Sequence, residues 1–253
     1  MEQKITSLKR TARVTGLLYL IMILTSVYAH VYVPLQIFVK GDAVATTRNI
    51  LANEFLFRTC IVVSLIETII FLFLVLNLYQ LFKGVNNHLA RLMVALVAVQ
   101  IPVAFVLGTL KLTSLLILKN ELSFTVPPSE LPNLAMLFLE TTRNGNTILA
   151  LSGGLWLFPF GLLVYKSRFI PRIFGVLLVS AGTGYIAGSL LSMLLPGYTQ
   201  PQVLPFIFFG VGEISIVLWL LIKGAKDYVS IEVIAETKTT IRPSIVKIKE
   251  YTE

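Results

Sequence analysis

Six apolar blocks, each roughly twenty residues or longer, divide the chain near residues 14–33, 55–82, 89–118, 144–165, 173–195 and 203–222. An α-helix rising 1.5 Å per residue needs about twenty residues to cross roughly 30 Å of hydrocarbon. Only helices and closed barrels satisfy their own backbone in lipid, and barrel strands would alternate apolar with polar residues. The pattern therefore predicts an all-α, polytopic membrane bundle of six transmembrane helices. Composition agrees, with 56% hydrophobic and 13% charged residues, where a soluble domain carries about 25% charge.

The net charge of +8 raises nucleic acid as a partner, but the cations flank the apolar blocks and form no basic face with interleaved aromatics. They read as topology signals. Six spans put both termini on one side, together with Lys4, Lys9, Arg10, Arg13, Lys83, Arg91, Lys166, Arg168, Arg172, Lys223 and Lys226. The other side has Lys40, Arg48, Arg58, Lys111, Lys119 and Arg143. Eleven cations against six predict cytoplasmic termini. The basic start "MEQKITSLKRTAR" precedes an apolar run with no clean small-x-small cleavage site, so it is expected to be an uncleaved first span. A lone cysteine, Cys60, and two distant histidines, His30 and His88, offer no metal or haem spacing. No cofactor is expected.

Two outer connections carry helical patterns of their own. "GDAVATTRNILANEFLF" opens with Asp42 as N-cap and "PPSELPNLAMLFLETTRNG" with Ser129, which predicts short amphipathic helices on the outer face. No residue-level match makes them a repeat. Residues 1–226 form the transmembrane domain and 227–253 a polar cytoplasmic tail, in which "YVSIEVIAETK" leaves a hairpin and disorder both open.

Acids inside spans cost about 2.5–3.5 kcal/mol to insert, which makes them functional candidates. Glu213 lies ten residues above Lys223 and Gln100 nine above Arg91, both at a depth of roughly 14 Å. Tyr185 follows at roughly 20 Å above Arg172, and Glu67 at roughly 24 Å above Lys83. Asn146, Arg143 and Glu140 come higher still, with Arg58 opening the second span from outside. This ladder predicts an outward-open cavity floored by Glu213, which Gln100 is placed to meet across helices. The competing reading has each rung satisfied locally. Glu213 is then a neutral acid bonding a neighbouring helix, or the partner of Arg58 or Arg143. Glu67 is expected to pair with an arginine of another span. Glu140 and Arg143, three apart on one helix face, are expected to pair with each other.

Pro102 and Pro159 interrupt spans and free the carbonyls of Ala98 and Leu155. Gly184 and Gly188 make a GxxxG step that marks a close helix contact. No Ser/His/Asp or Cys/His set can be assembled, and "SGGLW" lacks the lysine of a phosphate-binding loop.

"GLWLFPFGLLVYKSRFIPRIFGVLL" (154–178), "AGTGY" (181–185) and "GEISIVLWLLIKG" (212–224), with "RTARVTGLLYLIMIL" and "GDAVATTRNILANEFLFR" earlier, resemble the family called domain of unknown function 4386. The resemblance runs from about Arg10 to Gly224. It implies a multi-pass protein of the bacterial inner membrane with this span order, and attaches no activity. Many members carry a histidine near the start of the fourth span, where this chain reads "TTRNGN", so histidine chemistry does not carry over.

Three functions follow as expectations. The ladder favours binding or transport of a small amphipathic or cationic molecule in an outward-facing cavity. The GxxxG step and the tail fit a non-catalytic partner or sensor subunit. A lipid-modifying enzyme with Glu213 and Glu67 as acid and base ranks last, since their depths differ by roughly 9 Å. Beyond the lipid bilayer, a small molecule or lipid stands as the expected ligand.

Overall fold

The structure, a computed structural model, describes residues 2–121, 127–195 and 210–225, with side chains from residue 9 onward and, in the last stretch, from 212 onward. The start of the sixth apolar block and the tail at 227–253 lie outside the described residues. Five helical stretches are long and apolar enough to cross a membrane: Lys9–Ile37, Glu54–Phe82, Asn87–Leu118, Pro128–Ser167 and Arg172–Leu194. A shorter apolar helix, Gly212–Ile222, represents the sixth block. No strand occurs among the described residues.

Proline shapes three of these spans. α1 (Glu2–Val27) passes through a π-helical turn, Tyr28–Tyr32, into α2 (Val33–Ile37). Pro34 lacks the N–H that would reach His30 and its ring crowds that carbonyl. The widened turn absorbs the conflict, and the Val33 N–H bonds the Tyr28 oxygen five residues back. In the third span α5 (Asn87–Ala98) ends four residues before Pro102, where α6 (Gln100–Leu118) begins. In the fourth span α7 (Leu131–Leu155) ends four residues before Pro159 and gives way to α8 (Leu157–Ser167). Both breaks fall at the carbonyls that the sequence predicts will be freed.

Of the two helices expected on the outer face, α3 (Ala43–Ala52) is separate, and the Asp42 carboxylate caps it by accepting the Ala45 N–H at 2.8 Å. The second is not. From Leu131 the chain runs without interruption into the fourth span, and Glu130, not Ser129, precedes it without a side-chain cap. The turn at Pro128–Glu130 and Pro132 at the helix start do that work instead.

The spans close a ring in which each packs on its sequence neighbours: α1 on α4 (Glu54–Phe82), α4 on α5 and α6, α6 on α7, and α7 and α8 on α9 (Arg172–Leu194). α10 (Ser215–Ile222) closes it against α1. A Cβ at Gly224 would lie 3.3 Å from the Lys9 side chain, so the last helix returns to the face where the first begins. The fourth and fifth spans touch backbone to backbone through two glycine pairs, each set two turns apart. A Cβ at Gly154 would lie 2.6 Å from the Gly182 carbonyl oxygen, and one at Gly175 2.5 Å from that of Gly161.

The interior is divided. A large apolar cluster fills the half nearer the termini, around Tyr19, Leu78, Phe82, Met93, Trp156 and Phe160. A smaller one, around Ala29, Ile50, Phe57, Ile61 and Leu115, fills the other.

Candidate functional site

Glu213 stands in a second π-helical turn, Gly210–Ile214, which leads into α10. Such turns project a side chain out of α-helical register and are frequent at functional sites. The carboxyl is 4% exposed. One oxygen accepts a hydrogen bond from the Tyr19 hydroxyl at 2.5 Å and the other accepts from the Tyr185 hydroxyl at 3.3 Å. Three spans are thus tied to one acid. The register is fixed nearby, where Gly16 lets α1 approach Leu220 and Leu221 so closely that a Cβ would lie 2.9 Å from the Leu221 nitrogen. That pairing leaves Tyr19 roughly 6–7 Å short of the level of Glu213, which the phenol spans.

Tyr19 is fully buried and held by aromatic neighbours. Its ring lies 6.3 Å from that of Trp156 and 6.4 Å from that of Phe160, and these two stack at 5.4 Å. Phe71 meets Trp156 edge-on at 5.1 Å. The hydroxyl is therefore aimed at Glu213 by a packed wall whose rotamers have little freedom.

Gln100 does not meet Glu213 through any described hydrogen bond. Its amide donates to the Leu96 carbonyl at 2.8 Å and to the Ser152 carbonyl at 3.5 Å. Leu96 and Ser152 lie just before the proline breaks of the third and fourth spans, so Gln100 joins the two kinks where backbone bonding is thinned. Glu67 has no arginine partner among the described ion pairs. It pairs with His30 at 3.0 Å, with side chains 17% and 40% exposed. His30 projects from the π turn at Tyr28–Tyr32. The same level holds Cys60, whose thiol donates to the Ala29 carbonyl at 3.2 Å, and a Tyr28–Thr59 hydroxyl pair at 2.8 Å.

Toward the end of the bundle away from the start of α1, Arg58 bonds Glu54 at 2.7 Å, one turn back on its own helix. Lys119 bridges Glu121 at 2.7 Å and Glu54 at 3.2 Å, and these hydrogen bonds, the one to Glu121 foremost, hold its ammonium above the usual lysine pKa. Glu140 and Arg143 pair at 2.5 Å, as their spacing predicts. Asn146 is half-buried on α7 beside Gly145, which packs against Leu107 of α6.

Of the sequence candidates, Tyr185 and Glu213 come together. Glu67 lies apart, and its bonds and those of Glu213 share no partner. Two participants escaped the sequence reading, Tyr19 and His30. A helical-rise count finds the second, since His30 lies seventeen residues above Arg13, or roughly 26 Å, against roughly 24 Å for Glu67. Among the described residues no group of three or more His, Cys, Asp or Glu is placed to hold a metal ion.

A family model described as "Domain of unknown function (DUF4386)" matches residues 14–224. A curated relative, an uncharacterized protein of Archaeoglobus fulgidus, is 42% identical over 73 residues, which is 29% of this chain and 42% of that one. The match thus spans about two fifths of that relative's length. No solved structure matches the chain.

Proposed function

Since the chain belongs to the family described as Domain of unknown function (DUF4386), whose description assigns no activity, we propose from its side chains that it binds or transports a small cationic or amphipathic molecule, with Glu213 as the determinant. One observation carries this reading. Glu213 is buried within the membrane, its described partners are two neutral phenols, and no cation pairs with it among the described residues. A carboxylate offers about four acceptor positions, of which the phenols use two. An ion without a counter-charge is costly in that setting, so the site favours whatever brings positive charge, either a proton or a ligand's ammonium. In this conformation the tyrosine hydroxyls close it. A ligand enters by displacing Tyr185, the longer of the two bonds.

The Glu67–His30 pair, polar and partly exposed, is a separate feature and is not part of this determinant. The distribution of Lys and Arg supports cytoplasmic termini, and a bacterial inner membrane is what the family resemblance implies. The test is thermal unfolding of the full chain in detergent with tetraphenylphosphonium as probe cation. The cation should raise the midpoint, and the gain should shrink as pH falls because protons compete for Glu213. Glu213→Gln should abolish the gain while leaving the ligand-free midpoint nearly unchanged. An equal gain in wild type and Glu213→Gln contradicts the proposal.

A further inference from the structure

The turn between α8 and α9, Arg168–Pro171, is anchored from below and charged above. Phe169 and Ile170 are 1% and 2% exposed and belong to the large apolar cluster, where the Phe169 ring stacks on Phe82 at 5.6 Å. With its middle pinned, the turn holds Arg168 and Arg172 exposed on either side of a cleft of about 290 Å3 lined by residues 168–172. The Arg172 guanidinium lies 5.3 Å from the centre of the Tyr165 ring, which restrains it.

Arg168 has φ 59° and ψ −15°. This left-handed position at a helix end is ordinarily taken by glycine or asparagine. The other described residues with positive φ are Gly41, Gly224 and Asn120, so an arginine there stands out. Neither Arg168 nor Arg172 takes part in an ion pair among the described residues. Two guanidiniums flanking one cleft match the oxygens of a phosphate, because each presents a planar fork of donors. Within two helical turns of the cleft along the chain, Leu162 of α8 and Ile173 and Val176 of α9 are 42%, 57% and 49% exposed. They offer acyl chains a surface that a free anion would not use.

We propose that this turn is a headgroup site for an anionic phospholipid, its phosphodiester held between Arg168 and Arg172 and its chains lying along α8 and α9. The site is independent of Glu213.

The test is native mass spectrometry of the full chain, released from detergent after exposure to phosphatidylglycerol or phosphatidylcholine. Wild type should retain phosphatidylglycerol preferentially. Arg168→Gln with Arg172→Gln should weaken that retention roughly thirtyfold, at the usual contribution of each cation near an anionic headgroup. Arg10→Gln with Arg13→Gln, which removes equal charge from the same face, should stay within about threefold of wild type. If the glutamine pair does not fold, Arg168→Lys with Arg172→Lys keeps the charge and loses the fork. It should still lower retention several-fold, and wild-type retention in that variant overturns the site. Equal losses in the two glutamine pairs, or no preference for phosphatidylglycerol in wild type, also overturn it. Displacement of the lipid by millimolar inorganic phosphate would keep the phosphate chemistry and overturn the lipid as its source.

Discussion

Glu213 and Glu67 are both acids inside apolar helices, and each bond involves a residue in a π-helical turn, yet their surroundings differ. Glu213 lies in its own π turn and meets two phenols from two other spans, at 4% exposure. Glu67 lies on regular helix and meets one imidazole, which the other π turn supplies, with both side chains still partly open. The first arrangement couples three helices and excludes water. The second couples two and leaves water access. The same residue type thus serves as a sealed junction in one half of the bundle and as a solvated pair in the other.

That contrast can be broken most forcefully by Glu213→Leu. It strands two buried hydroxyls, and thermal unfolding in detergent should register a loss of about 2–5 kcal/mol. A loss no larger than that of Glu67→Leu would erase the distinction. Next comes Gly154→Leu, which forces a side chain against the Gly182 carbonyl and Ile186, with an expected cost of about 1–3 kcal/mol from overpacking. Tyr19→Phe should then cost about 1–3 kcal/mol, since it leaves a buried carboxyl oxygen of Glu213 without its donor. Tyr185→Phe should cost less, since its bond is longer. A reversal of that order would place the junction on α9. Glu67→Gln should cost below about 1 kcal/mol, the range of exposed pairs. In a Cys60→Ser background, Glu67→Cys should react with an impermeant thiol reagent from outside while Glu213→Cys resists. Equal labelling would mean that the two acids share one compartment.

Much of this architecture is legible in the apolar blocks, because hydrocarbon thickness fixes span length and the residues flanking each block mark its ends. Both proline breaks follow from the missing N–H of Pro102 and Pro159, and Asp42 is readable as a cap. The Ser129 cap is not borne out, since Pro132 can start a helix without one and the apolar pattern of "LAMLFLETT" continues the fourth span. Within the site, counting rise gives depth and says nothing of direction around a helix. Gln100 shares the depth of Glu213 but turns to the kinks, where carbonyls need donors. Tyr185, roughly 6 Å higher by count, reaches the acid because a phenol covers that distance. Tyr19 escapes detection because its hydroxyl ends an aromatic ring that reads as core. Glu67 misses its expected arginine because Arg58 and Arg143 already have acids on their own helices.

The central claim, that Glu213 sets cation recognition and Glu67 does not, is tested most directly by equilibrium binding of radiolabelled tetraphenylphosphonium to wild type, Glu213→Gln and Glu67→Gln. Glu213→Gln should lose at least about tenfold in affinity, the scale of one charge-assisted contact, while Glu67→Gln stays within about threefold. A folded Glu213→Gln protein that binds the cation as wild type does would contradict the account.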